Sequence, residues 1–302
     1  MRSGRALSEW TPNSLGGSGR CHHGREREAG RCDRCEGRHN EEMSVACLEI
    51  PVEDVETAIA AAGYADRLEI CRDLARDGLT PSPEVVDQVR QHVADLCDPP
   101  ELAVLFQEIA PPTNRSTTGC EIFRGGDSQL ATLEKRAIEF AQAGATSIVI
   151  GFLDSQGRID REACRSAVAI NRRVGLQTAF HRAFDFTPDA VVAIGQLSEL
   201  GIHRTLSAGV QGFVASTVLL ENRLNALGKT ASAGQIADPV VEVVPCGGVR
   251  CDHASGYLDV TGHLHASCLV EIEESGGRRF SVAEAAGLRQ RINEWTAREG
   301  TG

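Results

Sequence analysis

From Val45 onward the chain alternates short apolar runs with amphipathic stretches, and this rhythm restricts the fold more than any other feature. Val45–Ile50, Arg67–Cys71, Glu101–Phe106, Ser147–Gly151, Leu176–Phe180, Arg204–Ser207, Val240–Pro245 and His263–Ser267 read as strands. Helical periodicity fills the spans 54–62, 83–96, 128–143, 160–174, 188–200, 212–227 and 282–298. Ser82 and Pro83 supply a cap and a first-turn proline for the second helix, and Gly144 and Gly175 stop two others. Strand and helix repeated about eight times predict an α/β (β/α)8 TIM-like barrel. An open doubly wound sheet is the alternative. It usually carries a glycine-rich loop after its first strand, and Pro51-Val-Glu-Asp-Val55 is not one.

Residues 1–42 lack this rhythm. They hold 8 Arg against 7 acidic residues, a net charge of +1, which leaves −12 of the chain's −11 on the remainder. No apolar core for a secretory signal is present, and the acids argue against a transit peptide. Cys21-His22-His23 and Cys32-x-x-Cys35-x-x-x-His39 are zinc-ligand types without a clear second half. The segment reads as a disordered extension, or as non-native sequence ahead of a start at Met43. The domain plan is therefore 1–42 as that extension and 43–302 as the barrel.

The net charge of −11 argues against nucleic acid as a partner, and no stretch approaches the roughly 18 apolar residues of a membrane span. Eleven scattered Cys suggest reduced thiols and a cytoplasmic location.

In a barrel of this kind the working groups sit at the carboxyl ends of the strands. The fifth strand ends in Thr178-Ala-Phe-His-Arg-Ala-Phe-Asp185, where His181, Arg182 and Asp185 lie among Phe180, Phe184 and Phe186. A shaped, partly dry pocket is expected there, with a proton-exchanging His181 and an anion-holding Arg182. The same residues also suit a structural tie between strand end and loop. Glu49 ends the first strand, and Arg67 and Glu69 share one face of the second. Turned inward, these charges need partners, and they form either a structural ion-pair layer or part of a site. The eighth strand ends with His265 and Ser267. The small turns Ser207-Ala-Gly209 and Cys246-Gly247-Gly248, with Ser267, are candidates for cradling a phosphate or carboxylate.

Two motifs carry a resemblance. His181-Arg-Ala-Phe-Asp185 is similar to the FHRAFD signature of the copper homeostasis protein CutC family. Ala65-Asp-Arg-Leu-Glu-Ile-Cys71, followed by Asp73-Leu and Asp77-Gly-Leu-Thr-Pro81, resembles that family's ADRIELC and GGLTP segments. The likeness covers roughly Val45 to Cys268. It implies a TIM-like barrel, a cytoplasmic role in copper homeostasis, and a homodimer. It also implies weak Cu(I) binding in which Cys71 matches one family thiol, while Pro51 replaces the other. Cu(I) prefers thiolates, and the near absence of Met leaves cysteine to supply them. Cys246 and Cys268, near strand ends that neighbour Cys71 around the ring, complete a candidate thiol cluster. The family's MIRPRGG-like segment is not visible. FQEIAPPTNRSTTGC runs from Phe106 to Cys120 instead, with Arg115 a possible stand-in for a family Arg.

Three expectations therefore compete. The first is a copper homeostasis protein with a cysteine thiolate site. The second is a barrel lyase or isomerase acting on a small anionic or phosphorylated metabolite. The third is a binding barrel without chemistry.

Overall fold

The computed structural model describes residues 46–110, 119–272 and 276–300. The expectations for residues 1–42, their Cys and His included, and for Arg115 lie outside these. Eight parallel strands form the barrel: β1 (Cys47–Val52), β2 (Arg67–Ile70), β3 (Glu101–Leu105), β4 (Ser147–Ile150), β5 (Gln177–Phe180), β6 (Arg204–Ser207), β7 (Glu242–Pro245) and β8 (His263–His265). They run in sequence order from β1 to β7. β8 returns to β1 through the pairs Cys47–His263 and Glu49–His265 and lies against β7, which closes the ring.

Helices cover the outside: α1 (Val55–Ala62), α2 (Pro83–Val93), α3 (Asp127–Gln142), α4 (Arg161–Arg173), α5 (Ala190–Glu199), α6 (Leu220–Ile236), α7 (Ala254–Thr261) and α8 (Val282–Glu299). Side-chain caps start four of them. Asp54, Asp160, Asp189 and Ser281 accept the first-turn N–H groups of Thr57, Ala163, Val191 and Glu284. Each cap meets a donor that the helix itself leaves unpaired.

The main core is the belt between strands and helices. Leu48, Ile50, Leu68, Ile70, Ile148 and Ile150 are completely buried in it. Because successive strand residues alternate sides, the residues between them turn into the barrel. The interior thus receives Glu49, Arg67, Glu69 and His265 on one side and Ala103, Val149 and Ala179 on the other.

Three details depart from the expected pattern. The sixth helix begins at Leu220, not at residue 212, and runs on to Ile236. Residues 212–218 are held by tertiary contacts instead: Gly212 donates its N–H to the Asp185 carbonyl at 2.7 Å, and the Phe213 ring packs 4.8 Å from that of Phe186. α7, with eight residues, is absent from the expected pattern. After β8 an antiparallel hairpin, β9 (Leu269–Glu271) with β10 (Arg278–Phe280), arches over the barrel end.

Candidate active site

Glu49 is the centre of the buried polar group. It is 1% exposed. Its carboxylate takes a hydrogen bond from Arg67 Nη1 at 3.1 Å, faces Arg204 Nη2 at 3.7 Å, and lies 2.7 Å from Nδ1 of His265. Burial pushes the Glu49 pKa up, but Arg204, His265 and Arg67 together bring it well below the usual carboxylate range. Arg67 also binds Glu101 at 2.9 Å on the outer rim of β3. Its partners are Glu49 and Glu101. Arg67 and Glu49 thus belong to a paired layer beneath the mouth.

His265 links that layer to the mouth. Burial opposes its charged form, yet the hydrogen bond to Glu49 and the charges of Glu69 and Glu49 raise its pKa. Its Nε2 faces Glu69 Oε2 at 4.0 Å. Glu69 has a different environment from Glu49. Burial dominates and holds its pKa at about 7, and Oε1 has no hydrogen-bond partner among the described residues. One barrel interior therefore keeps one carboxylate charged and leaves the other ready to exchange a proton near neutrality.

The fifth strand divides its motif between roles. His181 Nδ1 accepts the Ala183 N–H at 3.0 Å, so the ring hydrogen lies on Nε2, which has no partner among the described residues. Burial, with the adjacent Arg182, pushes the His181 pKa down to about 3 and keeps the ring neutral. The ring fits only because residue 151 is glycine. A Cβ there would lie 1.9 Å from His181 Cε1. Asp185 turns away from the mouth. It accepts Ser207 Oγ at 2.7 Å and the Ala208 N–H at 2.9 Å, and so fastens the end of β6. Burial raises the Asp185 pKa, against the pull of Arg182 and these donors. Arg182 reaches Asp185 at 3.5 Å and Asp77 at 3.6 Å, and its guanidinium lies 5.1 Å over the Phe213 ring.

A cavity of about 290 Å³ opens at this end of the barrel. Glu69, His181, Arg182 and His265 line it, together with Gly247, Gly248 and Ser267 of the expected anion-binding set. Ser207 and Gly209 do not. The Ser207 hydroxyl donates to Asp185 and accepts the Gly209 N–H at 3.1 Å, which ties that turn to the fifth-strand motif. The 247–248 turn has both φ angles positive, at 73° and 95°, where a side chain is strained. Arg250, just beyond it, and Arg278, on the hairpin, add cationic groups to the lining.

The thiols are arranged otherwise. Cys71 is packed with Ala103, Leu105, Val149 and Ala179. Cys246 lines the cavity, whereas Cys268 is buried in the main core, its Sγ 3.5 Å from the Ala266 carbonyl. Burial raises all three pKa values: Cys71 well above the thiol range, Cys268 to about 12, and Cys246 upward despite Arg182. Among the described residues no three His, Cys, Asp or Glu side chains stand close enough to share a metal ion. The three cysteines therefore do not converge as a cluster. Separate protonated thiols in dry surroundings are a poor fit for a Cu(I) thiolate centre.

The CutC family pattern matches residues 46–269. This chain belongs to the CutC family. The human copper homeostasis protein cutC homolog is 32% identical over 250 residues, covering 80% of each chain. A CutC family protein of Vibrio campbellii is 29% identical over 223 residues, covering 72% of this chain and 84% of its own. The crystal structure of CutC from Streptococcus agalactiae superposes with a TM-score of 0.62 at 22% identity, over 74% of this chain and 98% of that one. A 3-hexulose-6-phosphate synthase shares the fold at a TM-score of 0.53 and 16% identity, over 82% and 99% of the chains. Within the family frame, Pro51 lies past the β8 ladder, which ends at Glu49–His265, so its missing N–H is tolerated in β1.

Several residues at the site had no role in the expected set. Arg223 donates to the carbonyls of Ala208 and Cys246, both at 2.8 Å, and so joins the ends of β6 and β7. Arg204, Gly151 and Phe213 were also missed, since each acts through a partner distant in sequence, and Arg278 reaches the cavity from the hairpin. His265 was visible as a histidine at a strand end, but its pairing with Glu49 depends on ring closure.

Proposed function

We propose that the cavity binds a small anionic organic molecule and works on it by proton transfer, as a lyase or isomerase. One observation carries this reading. Glu69, its pKa held at about 7 by burial, and His265, its pKa raised by the hydrogen bond to Glu49, lie in the same cavity as Arg182, Arg250 and the glycine turn at 247–248. The arginines and turn amides supply the donors that a phosphate or carboxylate requires. Arg250 Nη1 is buried without a hydrogen-bond partner among the described residues, which leaves a donor for such a ligand. The Glu69 carboxyl group supplies a proton-exchanging group at neutral pH, with the His265 imidazole beside it.

The test is titration of the chain with inorganic phosphate and short carboxylates by calorimetry, next to Arg182→Met and Arg250→Met. Saturable binding that weakens at least about tenfold in either variant, the loss of one charged hydrogen bond, supports the reading. Failure of every anion to bind overturns it.

The name of the human relative brings a second reading, a role in copper homeostasis. The eight described cysteines are all free thiols, in keeping with a reducing cytoplasm. Among the described residues no helix is long and apolar enough to cross a membrane. In this reading the link to copper runs through the cavity's ligand, because the thiols do not form a shared site. A homodimer is part of the proposal, and light scattering at micromolar concentration tests it: a monomer mass rejects it.

A further inference from the structure

Four buried polar atoms without hydrogen-bond partners among the described residues belong to side chains lining this cavity: Nε of Arg182, Nη1 of Arg250 and, the two that are not arginine atoms, Nε2 of His181 and Oε1 of Glu69. The last two come from β5 and β2, three strands apart in the ring. Their roles are complementary. The hydrogen bond from Ala183 N–H to Nδ1 leaves His181 as a neutral N–H donor. Glu69 offers an oxygen whose neighbour, Oε2, already faces His265. Buried polar atoms are seldom left unsatisfied, and a pair of them on one cavity indicates a ligand that engages both. A donor fixed at one point and a proton acceptor at another, beside groups that hold an anion, match the needs of proton removal next to a carbonyl.

Building on the anion-binding reading, we propose that the substrate is a short α-hydroxyaldehyde or α-hydroxyketone bearing a phosphate or carboxylate, which Glu69 and His181 enolise. The Glu69 carboxylate takes the proton from the carbon next to the carbonyl. The C–H electron pair becomes the carbon–carbon double bond, and the carbonyl π pair moves onto oxygen. His181 Nε2–H donates a hydrogen bond to that oxygen as its negative charge grows. The hydroxyl proton then passes to the former carbonyl oxygen as a proton returns to the neighbouring carbon, which completes an aldose–ketose isomerisation; return of a solvent-derived proton to the original carbon gives exchange alone. No oxidant or reductant is required. Neutrality suits His181 to this role, because a neutral imidazole stabilises an enolate oxygen without surrendering a full proton to it. Triosephosphate isomerase uses the same pairing of a glutamate base with a neutral histidine.

The test uses the full chain in D2O. It is given short α-hydroxyaldehydes and α-hydroxyketones in three arms: unsubstituted, phosphorylated and carboxylated. Proton NMR follows deuterium entering the carbon beside the carbonyl. Chain-dependent exchange in the phosphorylated or carboxylated arm, but not in the unsubstituted one, is expected, and the active arm identifies the anionic group. Glu69→Gln and His181→Asn should each slow exchange by about 100-fold or more. The asparagine keeps an acceptor near the Ala183 N–H and removes the donor at Nε2. Thermal unfolding confirms that both variants are folded, and both should still bind inorganic phosphate. Phosphate binding with no exchange in any arm overturns this inference and leaves the anion-binding reading standing. Exchange that persists in folded His181→Asn overturns the role of His181. If no anion binds at all, the earlier reading fails, and this one with it.

Discussion

The two sides of the barrel interior are built on opposite principles. Around β3, β4 and β5 the inward side chains are Ala103, Leu105, Val149 and Ala179, and Cys71 packs against them as a fifth small apolar group. Around β8, β1, β2 and β6 they are His265, Glu49, Arg67, Glu69 and Arg204. The first side is stable by exclusion of water. The second must satisfy each charge it buries, and it does so unevenly: Glu49 has Arg67, Arg204 and His265 as partners, while Glu69 keeps an unpartnered oxygen. The proposed proton-transfer site rests on that unevenness. A barrel that needed only stability would leave neither orphaned oxygen nor orphaned imidazole at its mouth.

The largest test of this contrast is Glu49→Gln. It removes the charge that Arg67, Arg204 and His265 share, and uncompensated buried cations are costly. A loss of about 3–5 kcal/mol in denaturant unfolding is expected, as for other broken buried ion pairs. A loss under about 1 kcal/mol would mean that the charged side is not held together through Glu49.

Glu69→Gln tests the other carboxylate, and pH reveals its sign. Burial holds the Glu69 pKa at about 7, above the ordinary 4.5. As pH rises past that ordinary value, the unfolded chain releases the proton first and the folded chain retains it. Stability therefore falls across this window by up to about 1.4 kcal/mol per pH unit, then levels off above the folded pKa. Glutamine removes this cost. The variant should gain on the wild type as pH rises from 4.5 to about 7 and match it most closely below 4.5. A stability difference that does not vary with pH would place Glu69 among the paired structural charges.

The fold was legible in the chain because strand and helix periods are local properties. Eight apolar runs at regular spacing suffice to indicate the ring. The site was legible only in part. His181, Arg182 and Glu69 stood out as polar residues at strand ends, and the structure places all three on one cavity. The division of labour among the charges was not readable. Asp185 sits three residues from Arg182, yet its main partners are Ser207 and Ala208, more than twenty residues away. His265 meets Glu49 across 216 residues, through the closure of β8 on β1. No spacing rule reports such a contact. The cysteines show the reverse problem. Their positions near neighbouring strand ends suggested a cluster, but an end position does not say which way a side chain turns.

Gly151→Ala probes the boundary between the two sides. A methyl group there overlaps the His181 ring, so the ring must move or β4 must shift. Overpacking of this kind costs about 1–3 kcal/mol. The displaced ring should also lose the Ala183 N–H bond, which a changed imidazole NMR signal would report. An unperturbed signal would show that the pocket around His181 is looser than its packing suggests.

The smallest effect is expected on the apolar side. Cys71 fills a site between Ala103, Leu105, Val149 and Ala179, and burial together with the Glu69 charge keeps its thiol protonated. As a small hydrophobe it should behave like one: Cys71→Ala should cost about 1 kcal/mol in thermal unfolding, within the ordinary range for a small core truncation. Cu(I) competition under reducing conditions provides the sharper measurement, because the family resemblance makes Cys71 the expected copper ligand. A thiolate there would have to form in an apolar cluster next to a second negative charge, an arrangement that penalises ionisation twice. Equal Cu(I) affinity for Cys71→Ala and the wild type is therefore expected. A marked loss of affinity would show that the apolar side opens to admit the metal, and the contrast between the two sides would then hold only for the metal-free protein.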